Sequence, residues 1–440
     1  MTRRKTAVEG EMPYKPDDDQ LAIALAQNWR DKVAYFHYAW RVYENGCWVE
    51  RDLQETRRNT RIFLRQHRSK LPQGVSQSRI NSIVAMMEDD FFIPDRKLNE
   101  EQKLSEKYIN LRNGLYNLET NQLEAHQPGL LMTTQLDFEY DPDADCPNFK
   151  RFLQSSLAFE DGKPDSDMII LAQEALAYSM TARTDLKASF WLIGKPDTGK
   201  STMIGLIRSL MGNLHATIDL NQLAANRFLL SGIIGKRVVT FTEADTNSFL
   251  PDALYKAMVG GQDEIYVDVK NKPGISFVPT AKFWWAMNGA PRTSDRSGAT
   301  FNRLIPLLFE YSIPADRRNP NLPALLAAEK PGIFTYLMLG WQRLIHYGKF
   351  TVPERSKAWR EAYQRENDTE YLYMADRLEL DPEGRIGGGE LYSDYRMWCE
   401  NNGFKPKNNG QVAKDWRRLG LTEYKSDGKK IWKGAKLRAT

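Results

Sequence analysis

Gly194-Lys195-Pro196-Asp197-Thr198-Gly199-Lys200-Ser201-Thr202 follows the pattern GxxxxGK[ST] of a phosphate-binding loop. Its glycines let backbone N–H groups turn inward around phosphate oxygens. Lys200 reaches the β and γ oxygens, and the Ser201 hydroxyl is placed to ligate Mg2+. The motif requires a strand before it and a helix after it. ASFWLI (188–193) supplies the first, and STMIGLIRSLMG (201–212) the second. Working outward, apolar runs at 214–218, 237–242, 281–287 and 304–309 join 188–193 as candidate strands of the kind buried on both faces of a parallel sheet. Helices are expected at roughly 148–158, 166–183 and 322–347. The predicted centre of the chain is an α/β unit, a parallel sheet flanked by helices.

Composition narrows the remaining classes. The 440 residues are 41% hydrophobic and 27% charged, which excludes a disordered chain. No run approaches the roughly 18 apolar residues of a membrane-spanning helix. The charged start, MTRRKTAVEGEMPYKPDDDQ, lacks the apolar stretch of a secretory signal, so the expected location is cytoplasmic. Cys47, Cys146 and Cys399 lie far apart and the five histidines form no ligand-spaced pair, so no zinc motif or disulfide framework is read. The net charge of +4 is unevenly placed: residues 401–440 hold eleven Lys or Arg against three carboxylates, a net of +8. A basic C-terminal module on a mildly acidic body points to an acidic polymer, nucleic acid before membrane.

A nucleotide site also needs a carboxylate at the tip of a neighbouring strand, for the metal and the attacking water. VVTFTEAD (238–245) offers Glu243 first and Asp245 second; a solvated acidic turn is the alternative. Asn288, after KFWWAM, could hold the γ-phosphate or the water, although Asn before Gly is also a common turn. Arg303 precedes the last apolar strand and could act across a subunit interface on transition-state charge, with Arg296 competing and a plain surface charge the alternative. In GGQDEIYVDVKNKPGISFV (260–278), the alternation of Ile265, Val267 and Val269 and the turn at 271–274 predict a hairpin carrying Lys270 and Lys272 near its tip. Such a tip suits a phosphate ladder, or simply guards an edge strand against aggregation.

Toward the N-terminus, a short helix (QLAIALAQNW) runs into a hairpin around Glu44-Asn45-Gly46, then a basic helix with Arg57, Arg58, Arg61, Arg65 and Arg68 that would bind DNA or be solvated. INLRNGLYNLETNQLEAH (109–126) reads as short strands, and Asp141–Pro147 as a linker. Toward the C-terminus, ELYSDYRMWCENNGF, NNGQVAKDWRRLGL and YKSDGKKIWKGAKL read as helix, helix and a two-stranded wing turned at Ser426-Asp427-Gly428. This winged helix would present Lys414, Arg417 and Arg418 on its second helix and Lys425, Lys429, Lys430 and Lys433 on its wing to DNA, or use a solvated basic face for protein contacts.

The order GKPDTGKST, VVTFTEAD, LYKAMVGGQDEI with its hairpin, FWWAMNGAP and FNRLIPLLF resembles the superfamily 3 helicase domain of phage and plasmid replication primase-helicases, related to poxvirus, papillomavirus and parvovirus helicases. The stretches from INLRNGLYN to CPNFKRFL and ELYSDYRMWCENNGF are similar to segments flanking that motor. The resemblance implies an AAA+-like P-loop ATPase using ATP and Mg2+, with Lys200 and Ser201 as the phosphate-loop pair and Ser201 and Glu243 at the cation. It further implies Glu243 as the acidic strand-end residue, Asn288 as polar sensor, Arg303 as trans-acting arginine, and Lys270 with Lys272 tracking DNA. Domains are expected at 1–145 (mixed α+β), 146–350 (motor), 351–384 (helical connector) and 385–440 (winged helix). The implied function is a replicative helicase of a mobile element, a ring and most simply a homo-hexamer, moving 3′ to 5′ on single-stranded or forked DNA. A separate primase or polymerase would be its partner. An ATP-switched replication initiator that finds an origin, and the helicase part of a primase-helicase, are the alternatives.

Overall fold

The computed structural model describes residues 14–36, 39–94, 106–219, 229–241, 250–268, 274–293, 295, 298–426 and 428–438. The chain enters through α1 (Asp18–Trp29), whose N-cap Asp17 and N3 Gln20 exchange side-chain hydrogen bonds in a capping box. Then come β1 (Val33–Phe36), β2 (Ala39–Glu44) and β3 (Cys47–Arg51), an antiparallel sheet in that order. The β2–β3 turn places Asn45 at φ +50° and Gly46 at φ +84°, the left-handed pair that a tight hairpin requires. The expected hairpin is therefore two of three strands. Helices α2 (Leu53–Gln66) and α3 (Gln77–Phe91) complete a small core with α1, centred on Leu21, Leu25, Leu64, Ile83 and Met87.

Residues 106–138 leave that core. Strands β4 (Tyr108–Leu111), β5 (Gly114–Asn117) and β6 (Gln122–Glu124) form a second antiparallel sheet. Ile109, Leu111, Tyr116, Leu118 and Phe138 belong to the same buried cluster as the central sheet. Their docking partner is α10 (Lys330–Tyr347), as α4 (Pro147–Ser156) to α9 (Leu322–Ala328) fill the intervening chain. Phe334 of α10 lies 5.2 Å from the Tyr116 ring, and Trp341 Nε1 donates to the Leu118 carbonyl at 3.1 Å. The expected limit at residue 145 thus divides one hydrophobic core.

The five apolar runs form the central sheet: β7 (Ser189–Gly194), β8 (His215–Ile218), β9 (Val238–Phe241), β12 (Lys282–Met287) and β13 (Leu304–Phe309). All pairings are parallel and the order is β13-β7-β12-β9-β8. Both faces are covered, so the side chains are large and apolar: Trp191, Trp284 and Trp285 are fully buried, and Phe241 stacks on Trp285 at 3.8 Å. Flanking helices include α5 (Ser166–Met180), α6 (Lys200–Met211) and α7 (Asp252–Gly260). A two-stranded antiparallel hairpin, β10 (Ile265–Val267) with β11 (Ile275–Phe277), stands apart from this sheet. The helix α5 crosses α10, where the fully buried Glu174 accepts from Arg343 Nε at 2.7 Å and from the Thr351 N–H and hydroxyl at 2.7 and 2.8 Å.

After α8 (Ala299–Asn302) and α9, helices α11 (Glu354–Glu366) and α12 (Thr369–Arg377) occupy the stretch expected as a connector. The helical expectation ends early, because β14 (Leu378–Gly387) is a strand, bulged between Asp381 and Arg385. It pairs with β16 (Lys429–Leu437), which also pairs with β15 (Thr422–Ser426), so the expected two-stranded wing is part of a three-stranded sheet. Helices α13 (Gly388–Asn401) and α14 (Asn409–Arg418) pack on it around Tyr395, Trp416 and Trp432. Tyr373 and Met374 of α12 and Leu378 join this core, which begins near residue 369 rather than at 385. No described helix is long and apolar enough to cross a membrane.

Candidate nucleotide site

Gly194 ends β7 level with Phe309 of β13, so close that a Cβ on Gly194 would lie 1.8 Å from the Phe309 carbonyl oxygen. Only glycine allows that approach. Asp197 at φ +63° and Gly199 at φ +98° then turn the loop into α6. A side chain at Gly199 would also strike Ser156 Oγ, a buried hydroxyl at the end of α4 that has no hydrogen-bond partner among the described residues. Lys200 opens α6, and its Nζ donates to the carbonyls of Gly194 and Lys195, each at 2.6 Å, folding the ammonium back onto the loop.

The segment after β13 grips the loop from outside. The Ile313 N–H donates to the Asp197 carbonyl at 2.9 Å, Ser312 Oγ to that of Pro196 at 3.2 Å, and the Arg318 guanidinium lies 3.1 Å from the Asp197 carboxylate. The nest of left-handed residues, the amides of a helix's first turn and a lysine at its start form a cradle of positive potential that fits a polyphosphate. Ser201 stands exposed on the first turn of α6, where its hydroxyl could meet a cation held by phosphate oxygens. Among the described residues, no three His, Cys, Asp or Glu side chains gather as a metal cluster.

Asn288 shares this edge. Met287 is in register with Ile193, so Asn288, exposed at the end of β12, stands beside Gly194. β9 ends at Phe241; Glu243 and Asp245 lie outside the described residues, as does Arg296. Arg303 is not brought to the loop. It precedes Leu304, which pairs with Ser189 at the far edge of the sheet, so six residues of strand, about 20 Å, separate it from the Gly194 level. Its Nη1 donates to the Ala299 carbonyl at 2.8 Å, its Nε is buried without a partner, and its carbonyl accepts from the Ser189 N–H at 2.7 Å. Arg303 therefore lies at the opposite end of the sheet from Lys200.

Lys270 and Lys272 lie outside the described residues, in the connection between β10 and β11. On β10 itself, Tyr266 is 65% exposed, an aromatic face that the lysine-centred reading passed over. The C-terminal cations divide into two groups. Arg417 is held by Glu423 at 2.6 Å, Arg418 by Asp368 at 2.6 Å, and Lys430 by Glu423 while it covers Trp432. Lys414, Lys425 and Lys429 are exposed. Sequence could not separate these groups, since Asp368 is 50 residues from Arg418. Arg318 was missed for the same reason, lying far beyond the loop in sequence.

Residues 22–157 match a family model described as D5 N terminal like, and residues 192–303 match a family of unknown function, DUF5906. A protein of the Sputnik virophage, "Putative helicase V13", is 22% identical over 220 residues, covering 46% of this chain. The chain spans about a quarter (27%) of that relative's length. Two solved apo structures of the NrS-1 C-terminal region share the fold. One has a TM-score of 0.53 at 13% identity, covering 96% of this chain and 98% of its own; the other has 0.50 at 11%, covering 96% and 100%. The segment similar to the D5 N terminal like model thus precedes a five-stranded parallel sheet, and Gly194–Thr202 lies in the second matched segment.

Proposed function

We propose that the protein is an ATP-dependent replicative DNA helicase of a mobile element, with an AAA+-like motor and a C-terminal winged helix. One observation carries this reading: a complete phosphate loop sits at the tip of β7, between β13 and β12, where the strand order doubles back, the place where open parallel sheets bind ligands. The D5 N-terminal-like domain and the virophage relative direct that site toward replication and nucleic-acid unwinding.

In this reading the α6 amides and Lys200 hold the β- and γ-phosphates, Ser201 and Glu243 hold Mg2+, which draws charge from the phosphates when bound, and Asn288 orients the attacking water. Since Arg303 lies about 20 Å from its own loop, it would complete the site of a neighbouring copy. That arrangement is the reason for proposing a ring, a homo-hexamer with movement 3′ to 5′. Tyr266, with Lys270 and Lys272, would contact one strand in the channel, and Lys414, Lys425 and Lys429 the fork. The net positive C-terminal unit favours a second reading, an ATP-switched origin-binding initiator with little unwinding.

ATP hydrolysis with and without single-stranded DNA tests the choice. DNA-stimulated hydrolysis that Lys200→Ala reduces at least 100-fold supports the motor. Slow hydrolysis indifferent to DNA, with nucleotide still bound, supports the initiator.

A further inference from the structure

The surface of α2 and the turn after it concentrates positive charge with little to match it. Residues 53–70 carry six Lys or Arg and one carboxylate, Glu55, which faces Arg51 at 3.4 Å. Arg58, Arg61, Arg65 and Arg68 are all exposed. Several other arginines find acids: Arg79 meets Asp18 at 2.8 Å, Arg343 meets Glu174 at 2.7 Å and Arg377 meets Asp394 at 2.7 Å. Among the described residues Arg58, Arg65 and Arg68 meet none, and Arg61 has only a neutral partner, donating to Gln77 Oε1 at 3.0 Å.

The arrangement works against the helix. Arg57/Arg61 and Arg61/Arg65 are i,i+4 pairs and Arg58/Arg61 is an i,i+3 pair, each repulsive by roughly 0.2–0.5 kcal/mol. α2 is held instead by its other face, where Thr56, Thr60, Phe63 and Leu64 are buried in the N-terminal core. The cost is offset when an outside polyanion sits on the stripe. From Arg58 to Arg65 the helical part of the stripe rises about 10 Å, the axial rise of roughly three nucleotides of one strand, and Arg68 follows in the turn after the helix.

We infer that α2 is a sequence-independent nucleic-acid contact, separate from both the hairpin and the C-terminal unit, that binds the phosphate backbone of DNA. An anionic membrane fits less well: the apolar face of α2 is already buried within the protein, leaving only isolated exposed Leu53 and Ile62, 40% and 42% accessible.

Binding of the full-length protein to a labelled DNA fork, followed by anisotropy as salt is raised, tests this. Arg58→Gln/Arg65→Gln/Arg68→Gln replaces exposed residues by good helix formers, and circular dichroism confirms that the variant is folded. The slope of log K against log salt is expected to fall by about 2 to 3, as three phosphate contacts are lost, with at least a 10-fold weaker affinity at low salt. Lys414→Gln/Lys429→Gln should lower the slope separately, and the two losses should add. A folded triple variant with wild-type slope and affinity overturns the inference, including the case in which an acidic protein is the true partner. Loss confined to the C-terminal variant overturns it too, while leaving the helicase reading intact. Stripe-dependent binding together with hydrolysis indifferent to DNA supports the stripe and overturns the motor. A wild-type protein without DNA affinity overturns both.

Discussion

Gly194 and Gly199 are constrained by contacts as much as by the ligand they would serve. A methyl group on Gly194 meets the Phe309 carbonyl, so Gly194→Ala must push β7 from β13 and is expected to destabilise the protein by about 1–3 kcal/mol in denaturant unfolding. Arg318 is different in kind. Its pair with Asp197 is largely exposed, the two side chains being 45% and 56% accessible, and such pairs are worth about 0–1 kcal/mol. Arg318→Ala should therefore leave stability nearly unchanged while lowering nucleotide affinity several-fold, because the loop loses its outer grip; titration of a fluorescent ATP analogue checks this. At this scale the motif was legible, since each of its roles belongs to a residue within one nine-residue window. The partners of that window were not. Ser156 beneath Gly199 and Arg318 against Asp197 come from segments brought near only by folding.

The strands of the central sheet were legible because burial on both faces leaves a continuous apolar run, and the expected and observed limits differ by a residue at most ends. β14 was not, for Leu378–Gly387 contains Asp-Pro-Glu-Gly, a turn signal in isolation; it becomes a strand by pairing with β16 around a bulge. The α5–α10 contact has a measurable weight. Glu174→Ala leaves Arg343 and the Thr351 groups without their buried acceptor, and a loss of about 3–5 kcal/mol is expected. The edge strand β8 supplies a pH dependence. Burial first, then the nearby Arg208 and Lys236, push His215 down from 6.5 to about 4, and its Nε2 lies 2.8 Å from Thr240 Oγ1. The folded state thus binds the proton less well than the unfolded chain. The stabilisation is present above pH 6.5 and is lost as the pH falls toward 4, so His215→Gln should flatten the unfolding midpoint across that window.

Across the whole molecule, boundaries follow hydrophobic clusters rather than composition. The C-terminal core includes Tyr373, Met374 and Leu378, so a fragment of residues 367–440 is expected to unfold cooperatively, whereas 385–440 lacks those side chains and most of β14's first half; thermal melts of the two fragments decide. The charge shift in the last forty residues could not mark where this core begins, since α12 precedes the basic stretch and buries Thr369 and Glu370 beside Tyr373 and Met374. β13 links the two scales. One end abuts the phosphate loop at Gly194, and the other carries Arg303. In a ring of the proposed kind, this strand is a push-rod whose ends belong to successive engines. A displacement at one nucleotide would reach the next through about 20 Å of fully packed backbone, with no flexible joint between. Firing order around the circle would then be set by mechanics inside each subunit, and a single Lys200→Ala copy mixed among normal ones would silence its neighbours out of proportion to its number.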